Sequence, residues 1–584
     1  MHSPSERQTE VLIAAFVAVL TALFHTTAFP FAFAGGRILS VAETGYIFLA
    51  PLAIWLMKKR SLRATLLTAW PAFFISWLAL LFWLRHVTFA GTVLLAAVVA
   101  LFPLCWALAA RLALPGLPHR PPLHRIVVIA ALAGVWVILE WVRSWIFSGF
   151  PWLPLAASQW DRPAMLQILP WTGYLGLSWV ICYFNLAIAS YAVSILKPRR
   201  DIVWWRRFNP ELYSALFMIM ASALSVISML RVREDSEILF QCGIVQPYTP
   251  ASLKWDASMA TDNLAKLESL STFAAAQEAD VVFWPESATP WAVMGPDPAM
   301  REWCENLSER LSLPIVMGNV AEIPQESGKV LNYNGVFIVQ PDDGLVPKFY
   351  AKRKLVPFGE YNPASFITDK LIDIPFDFFT PGRDGMTGCL SLLDHGRYYK
   401  IGALLCYEDI FPQLARSEAL DGADFFYVAT NNAWYGEEAG AYQHAAHSVL
   451  RAVENRRPVL RCGNGGWSGL IDEFGAQRNV CERPDQGVYF QGEDVIPLLR
   501  HPSAASVTTF YTRHGDWVVW PALTLVLWGL VVLRREPPEE SPAGGEDNEI
   551  DGPGAALSPE RRKTRELLRQ GKLRGKRRIG GLGQ

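Results

Sequence analysis

Charge is what this chain is short of. Only 18% of its 584 residues are Asp, Glu, Lys or Arg, against about a quarter in ordinary soluble domains. Combined with 51% hydrophobic residues and a mean hydropathy of +0.19, the shortage excludes a chain disordered throughout, and a collagen-like fibre with it. It also argues against a soluble multidomain protein, because positive mean hydropathy over this length needs several segments that prefer lipid. Net charge is missing too: 53 basic residues against 54 acidic ones leave −1, so no nucleic-acid partner is expected. The eight cysteines contain no Cys-x-x-Cys pair and no Cys/His ligand spacing, so zinc is not expected, and neither is any other metal or cofactor. In an oxidising compartment some of Cys242, Cys304, Cys389, Cys406, Cys462 and Cys481 could pair, with a connectivity that spacing does not reveal.

What is present is unevenly placed. Residues 11–230 are nearly all apolar, 231–515 have the composition of a soluble domain, and 536–584 are polar. A bilayer core takes about 20 apolar residues per helix. Seven candidate spans precede residue 231, at 11–34, 43–57, 64–84, 88–110, 126–142, 171–196 and 211–230, and an eighth runs over 517–533. The first is too long for the apolar core of a signal peptide, lacks a basic leader and runs directly into further spans, so it is expected to stay. Lys58, Lys59, Arg60 and Arg63, then Arg111, Arg120 and Arg125, then Lys197, Arg199, Arg200, Arg206 and Arg207, then Arg534 and Arg535 follow the even-numbered spans, and the alternate loops are poor in positive charge. Both termini are therefore expected in the cytoplasm and the large domain on the opposite side, the periplasm for a bacterial inner membrane. The expected organisation is a membrane bundle at 1–230, an α/β domain at 231–515, an eighth helix at 516–535 and a disordered tail at 536–584. That tail begins acidic and Pro/Gly-rich and ends basic, which suits a solvated tail or contact with anionic inner-leaflet lipid.

Ionisable groups are scarce within the spans, which weakens a transporter or receptor reading. Glu140 and Arg143, at the outer end of span five, either pair or face the interior. The segment SGFPWLPLAASQW at 148–160, with Trp145 just before it and Trp152 and Trp160 within it, reads as an interfacial aromatic belt or as a floor beneath the large domain.

From 238 onward the pattern alternates. Strands are expected at 239–246, 281–287, 314–320, 334–341, 398–409 and 424–432, in RPVLRCGN and in WSGLIDEFG, with helices at 255–277, 298–311 and 441–455. Such alternation indicates an α/β domain, and about 270 residues bury a large core without staples. Three strand ends carry chemistry. Glu286 follows Val-Val-Phe-Trp-Pro. Lys352 lies ahead of Leu-Val-Pro-Phe-Gly-Glu-Tyr, which contains Glu360. Cys406 follows Ile-Gly-Ala-Leu-Leu, with Glu408 two residues on. Taken singly these are a surface acid, a solvated lysine and a core cysteine. Taken together at strand ends, where reactive groups gather in open α/β sheets, a thiol with an acid and an amine points to covalent acyl chemistry.

The order Trp-Pro-Glu, then Lys with LVPFGEY, then Cys-Tyr-Glu, then Asn-Asn-Ala-Trp-Tyr-Gly resembles the nitrilase (carbon–nitrogen hydrolase) superfamily. SLKW at 252–255, SGFPW at 148–152 and the eight-span frame narrow the resemblance to the apolipoprotein N-acyltransferases, over roughly residues 10–535. The resemblance implies a polytopic helical bundle of about eight spans carrying an αββα sandwich. It implies Glu286 as general base, Lys352 as charge-stabilising amine and Cys406 as nucleophile, with Glu360, Glu408 and Tyr407 in support and Trp255 and Trp434 contacting substrate. It further implies a phospholipid acyl donor, a diacylglyceryl-modified apolipoprotein acceptor and a thioester on Cys406, in a multi-pass protein of the inner membrane, expected to be a monomer. Asn432, where Asp is common, and the Gly-rich run 463–466 depart from the family pattern. A membrane-anchored amidase or nitrilase acting on a small amide is the alternative that the same triad allows.

Overall fold

All eight apolar segments are helical in the computed structural model, which describes residues 4–32, 38–196, 209–232, 236–250, 253, 257–363, 379–505 and 507–535. Trp255 and the 536–584 tail lie outside the described residues. Among the described residues five helices are long and apolar enough to cross a bilayer: Ser5–Thr27, Leu62–Leu80, Phe89–Ala113, Pro122–Arg143 and Leu169–Ile195. Ala42–Leu56, Pro210–Leu224 and Val519–Arg534 are apolar and shorter. The first helix ends at Thr27 rather than running to 34, ahead of Pro30, whose ring and missing N–H are incompatible with a helix interior. The second is a 3₁₀ turn, Ala42–Tyr46, followed by a helix of only seven residues, Ala50–Leu56. The last helix packs closely on Pro122–Arg143 because both carry glycine at the crossing. A Cβ on Gly134 would stand 2.9 Å from the Ala522 carbonyl oxygen, and one on Gly529 would stand 2.5 Å from the Ala131 Cβ.

The few charges inside the bundle are satisfied or turned inward. Arg125 and Glu211 form a buried ion pair at 2.9 Å, with the Ser190 hydroxyl donating to the same carboxylate at 2.7 Å. Glu140 and Arg143 both face the interior. The Glu140 Oε1 accepts from the Trp136 indole (2.9 Å) and the Leu155 N–H (2.7 Å), and the Arg143 guanidinium lies over the Trp77 ring.

The α/β part contains β1 (Glu237–Gln246), β2 (Val281–Trp284), β3 (Ile315–Pro324), β4 (Val330–Gln340), β5 (Leu390–Asp394), β6 (Arg397–Leu405), β7 (Phe425–Asn431), β8 (Val459–Asn464), β9 (Gly469–Ile471), β10 (Gln477–Arg478) and β11 (Gly492–Arg500). One sheet runs β11-β1-β2-β3-β4 and continues into short edge strands; the other runs β10-β9-β8-β7-β6-β5. Pairing is parallel for β1-β2-β3 and for β6-β7-β8, so both sheets present several strand carboxyl ends to one side. The two sheets close on an aromatic core in which Phe240, Phe283, Tyr399, Phe425 and Tyr427 meet with ring centroids 5.1–6.5 Å apart. Helices Ala260–Ala276 and Ala299–Leu311 cover the first sheet through Leu267, Leu270, Cys304 and Leu307. Helices Pro412–Leu420 and Gly440–Asn455 cover the second. This is the αββα layering expected. The outer helical layer of the second sheet shares one hydrophobic core with the bundle: Leu414, Val449, Leu450 and Val453 belong to the same cluster as Leu166, Leu169, Tyr174 and Leu177.

The expected strands and helices are present, some with shifted ends. The helix expected from 255 starts at Ala260 after a 3₁₀ turn, Ala257–Met259, and the strand expected to run to 287 stops at Trp284, before Pro285. Two longer strands, β5 and β11, were not expected. β11 contains Pro497, which a strand tolerates only at a sheet edge, and β11 is that edge, pairing antiparallel with β1 from Gly492 opposite Gln246 to Arg500 opposite Glu237. All eight cysteines are free thiols, so the pairing left open above does not occur.

Candidate active site

Glu286, Lys352 and Glu360 converge on one ammonium group. Pro285 ends β2 and delivers Glu286 at the carboxyl end of a central parallel strand, where its side chain is 8% exposed. Lys352 follows the short strand Tyr350–Ala351, which pairs antiparallel with β4, and its backbone N–H donates to the Asn334 carbonyl at 2.8 Å. The Lys352 Nζ, 1% exposed, donates to Glu286 Oε1 at 3.0 Å and to Glu360 Oε1 at 2.8 Å. The Asn334 amide donates to the same two oxygens, at 2.9 and 3.2 Å. The other Glu360 oxygen accepts from the Val356 N–H at 2.8 Å, which fixes the carboxylate to its own loop. Two of the three ammonium donors are thus committed to carboxylates, and the third remains for another acceptor. Burial alone would depress the Lys352 pKa. The charges of Glu286, Glu360 and Cys406 outweigh it and hold the amine well above its usual value.

Cys406 stands at the carboxyl end of β6 and opens the 3₁₀ turn Cys406–Ile410. It is buried, and its backbone is left-handed, with φ +48°. A residue with a Cβ pays roughly 1–3 kcal/mol for that conformation, so the turn has to be held by its surroundings. The carbonyl of Cys406 accepts from His444 Nε2 at 3.0 Å. The thiol lies in the field of Glu286, Lys352 and Glu360, and beside the buried Tyr435 phenol, whose pKa it helps to raise. Burial pushes the Cys406 pKa up and Glu286 adds to the rise, while Lys352 and the Asn431 N–H pull against them.

Glu408 is two residues from the thiol, but its carboxylate is taken up elsewhere. Oε1 accepts from the N–H groups of Arg353 (2.7 Å) and Lys354 (3.1 Å), and Oε2 accepts from the Leu405 N–H (2.9 Å) and the Tyr350 hydroxyl (2.8 Å). It therefore ties the segment carrying Lys352 to the strand carrying Cys406. The Tyr407 hydroxyl donates to the Gly149 carbonyl at 3.0 Å, so the turn that follows the thiol rests on the SGFPW segment. Trp152 and Trp160 are buried there, whereas Trp145 is half exposed; the belt reading suits only Trp145, and Trp152 belongs to the floor. Trp434 is 46% exposed on the turn Asn432–Tyr435. Among the described residues no group of three His, Cys, Asp or Glu side chains could hold a metal ion.

Asn334, Tyr350, Tyr435 and His444 were not singled out from the sequence. Asn334 and Tyr350 sit in ordinary strand patterns, and nothing local marks them. His444 and its neighbours carry a usable signal: in Gly440–Asn455, Gln443, His444, His447, Ser448, Arg451, Glu454 and Asn455 are polar and yet all are buried. A helix polar over so much of its surface, between an apolar bundle and a sheet, has to satisfy those groups through specific partners.

Residues 242–490 match the model of the carbon-nitrogen hydrolase family, and residues 21–187 match the N-terminal domain of apolipoprotein N-acyltransferase. The apolipoprotein N-acyltransferase of Geobacter metallireducens is 31% identical over 397 residues, 66% of this chain and 70% of that protein. That of Azotobacter vinelandii is 30% identical over 426 residues, 70% of this chain and 74% of its own length. That of Pasteurella multocida is 28% identical over 546 residues, covering 89% of this chain and 96% of the relative. Both halves of the molecule, bundle and sandwich, are therefore matched together, and the chain belongs to the apolipoprotein N-acyltransferase family.

Proposed function

We propose that this chain is a membrane enzyme that transfers a fatty acyl group from a phospholipid to the α-amino group of the N-terminal diacylglyceryl-cysteine of an apolipoprotein, through a thioester on Cys406. The observation that carries the reading is the Lys352 ammonium shared between Glu286 and Glu360, within the field of the Cys406 thiol. In the first half-reaction Glu286 takes the thiol proton and the sulfur attacks the ester carbonyl. The third Lys352 N–H and the Tyr407 backbone N–H receive the oxyanion. Collapse breaks the carbon–oxygen bond, and the departing lysophospholipid oxygen takes the proton back from Glu286. In the second half, Glu286 accepts a proton from the attacking α-amine, a carbon–nitrogen bond forms, the carbon–sulfur bond breaks, and the sulfur regains its proton. One difficult transfer is split into two easier ones. Glu360 and Asn334 hold Lys352 and Glu286 in place, Glu408 fixes the two segments to each other, and the exposed Trp434 is available to contact substrate.

The shared core of bundle and sandwich supports acyl transfer over hydrolysis of a small soluble amide. Both proposed substrates are held in a bilayer, and a site joined to the bundle through a common apolar core can take them from it. The Lys/Arg distribution supports placing residues 231–515 in the periplasm and both termini in the cytoplasm of a bacterial inner membrane. The reading is tested by incubating the protein with phospholipid and identifying the adduct by mass. A fatty acyl group on Cys406 is expected; an acylated protein with Cys406 unmodified overturns the assignment. Glu286→Gln is expected to block formation of this adduct while leaving membrane insertion intact, and normal acyl-enzyme accumulation in the variant removes Glu286 from the base role.

The raised thiol pKa adds a pH signature. Since burial and Glu286 shift the Cys406 thiol above its usual range of about 8.5, little thiolate exists at neutral pH without base assistance. Alkylation of Cys406 by iodoacetamide is expected to keep climbing through pH 9 without a plateau. A plateau below pH 8 shows a preformed thiolate and contradicts proton removal by Glu286.

A further inference from the structure

Behind the nucleophile, two adjacent and fully buried residues of the helix Gly440–Asn455 face different partners. Gln443 makes all four hydrogen bonds that its amide allows. Oε1 accepts from the indole N–H groups of Trp83 (3.0 Å) and Trp152 (2.9 Å), and Nε2 donates to the carbonyls of Pro30 (2.7 Å) and Leu80 (2.9 Å). Indoles only donate and carbonyls only accept, so the amide has one orientation that fits. Its four partners come from three separate stretches of the bundle: the exit of the first helix, the end of Leu62–Leu80 with the turn after it, and the SGFPW segment.

His444, the next residue, faces the active-site turn. Its Nε2 lies 3.0 Å from the Cys406 carbonyl oxygen and 2.8 Å from Asp409 Oδ1, and its Nδ1 lies 3.1 Å from Asn432 Oδ1. Asp409 is held in turn by Arg461 (2.6 Å) and Ser448 (2.6 Å). Consecutive residues of an α-helix point about 100° apart, so one dipeptide grips the bundle with one side chain and the left-handed Cys406 turn with the next.

We propose that Gln443 and His444 form a positioning link that sets the Cys406 sulfur in register with the bundle. Gln443 acts on donors that reach the site from the bilayer, because it fixes the bundle relative to the turn. His444 acts on every donor, because it holds the turn itself. The Tyr407 bond to Gly149 and the bond from the Leu153 N–H to His447 (3.2 Å) join the same two parts, so loss of Gln443 leaves them attached but out of register. A misplacement of about 1 Å at a reacting centre costs roughly a hundredfold in rate. The proposal rests on Cys406 being the nucleophile.

The test uses the full chain in lipid nanodiscs, as wild type, Gln443→Leu, Gln443→Glu and His444→Ala. Each is given two donors: a chain-labelled phospholipid in the disc, and p-nitrophenyl acetate, a soluble ester too small to need the bundle. The burst of acyl-enzyme on Cys406 is followed by mass. Both Gln443 variants are expected to lose about tenfold or more in burst rate with phospholipid, while keeping burst rate and amplitude with p-nitrophenyl acetate within about twofold of wild type. His444→Ala is expected to slow both donors. A purely structural Gln443 gives equal losses with the two donors, through fewer folded molecules, and that result or no loss with either overturns the proposal. Trp152→Phe removes one indole donor from Gln443 and keeps a ring in place; it is expected to show a smaller loss confined to phospholipid, and an equal loss with both donors again overturns the link. Wild-type protein that acquires no acyl group on Cys406 from either donor overturns the nucleophile assignment and the link with it.

Discussion

Cys406→Ala is expected to abolish both the acyl-enzyme and N-acylation of a lipopeptide acceptor, while the chain remains folded and in the membrane. The two halves of this expectation have different physical origins. Sulfur is the atom that carries the acyl group between donor and acceptor in the proposed scheme, and neither Glu286 nor Lys352 can take over a covalent step. Loss of the nucleophile in enzymes of this logic costs on the order of 10⁶ in rate. Folding is little affected, because alanine removes one buried atom, at about 1 kcal/mol, and keeps the Cβ that makes the left-handed backbone costly. The His444 bond is to the Cys406 carbonyl and survives the substitution. Cys406→Ser keeps the shape but presents a hydroxyl that is far harder to deprotonate, so it should be nearly as inactive. The check is a labelled phospholipid donor with a diacylglyceryl lipopeptide, read by mass for both the adduct and the product. Product formation by the alanine variant would dismiss the thioester.

How far the sequence leads depends on whether a feature is local. Buried parallel strands such as Phe425–Asn431 are continuous apolar runs, and the bundle helices are longer ones, so their places could be read directly. β11 could not, because Pro497 argues against a strand and only the fold places it at an edge beside β1. The chemistry divides in the same way. Glu286 and Cys406 end apolar runs and stand out, whereas Lys352 lies in Ala-Lys-Arg-Lys and is distinguished only by resemblance. Asn334, which bonds both Glu286 and Glu360, has no local mark at all. Glu408 shows how proximity in sequence misleads: two residues from the thiol, it is occupied by four donors from the Tyr350–Lys354 segment and Leu405. Its place is as a brace between Lys352 and Cys406. Trp152, an apparent belt residue, bonds to Gln443 across 291 residues of chain, a separation over which periodicity carries no information.

Lys352→Met is expected to damage stability and catalysis for separable reasons. With the ammonium gone, Glu286 and Glu360 face one Asn334 amide with no cation between them. Removing one partner from a buried ion pair typically costs about 3–5 kcal/mol, and a carboxylate can relieve part of that by taking up a proton. If Glu286 is the one protonated, the proposed base is lost along with the proposed oxyanion donor, so the loss in thioester formation should exceed the roughly 10²–10³ expected for one missing donor. The folded chain holds the Lys352 proton more tightly than the unfolded chain does. Its stabilising contribution is therefore complete below the ordinary lysine value of about 10.4 and is lost only as pH rises through the raised value. Melts at pH 7–8 read the whole effect. The double variant Lys352→Met/Glu360→Gln separates the two roles. It removes the carboxylate repulsion and should recover most of the melting temperature, yet it offers no ammonium to a developing oxyanion and should remain inactive in the phospholipid burst. Recovery of stability and transfer together would reduce Lys352 to a counter-charge for Glu286 and leave oxyanion stabilisation to the Tyr407 backbone N–H.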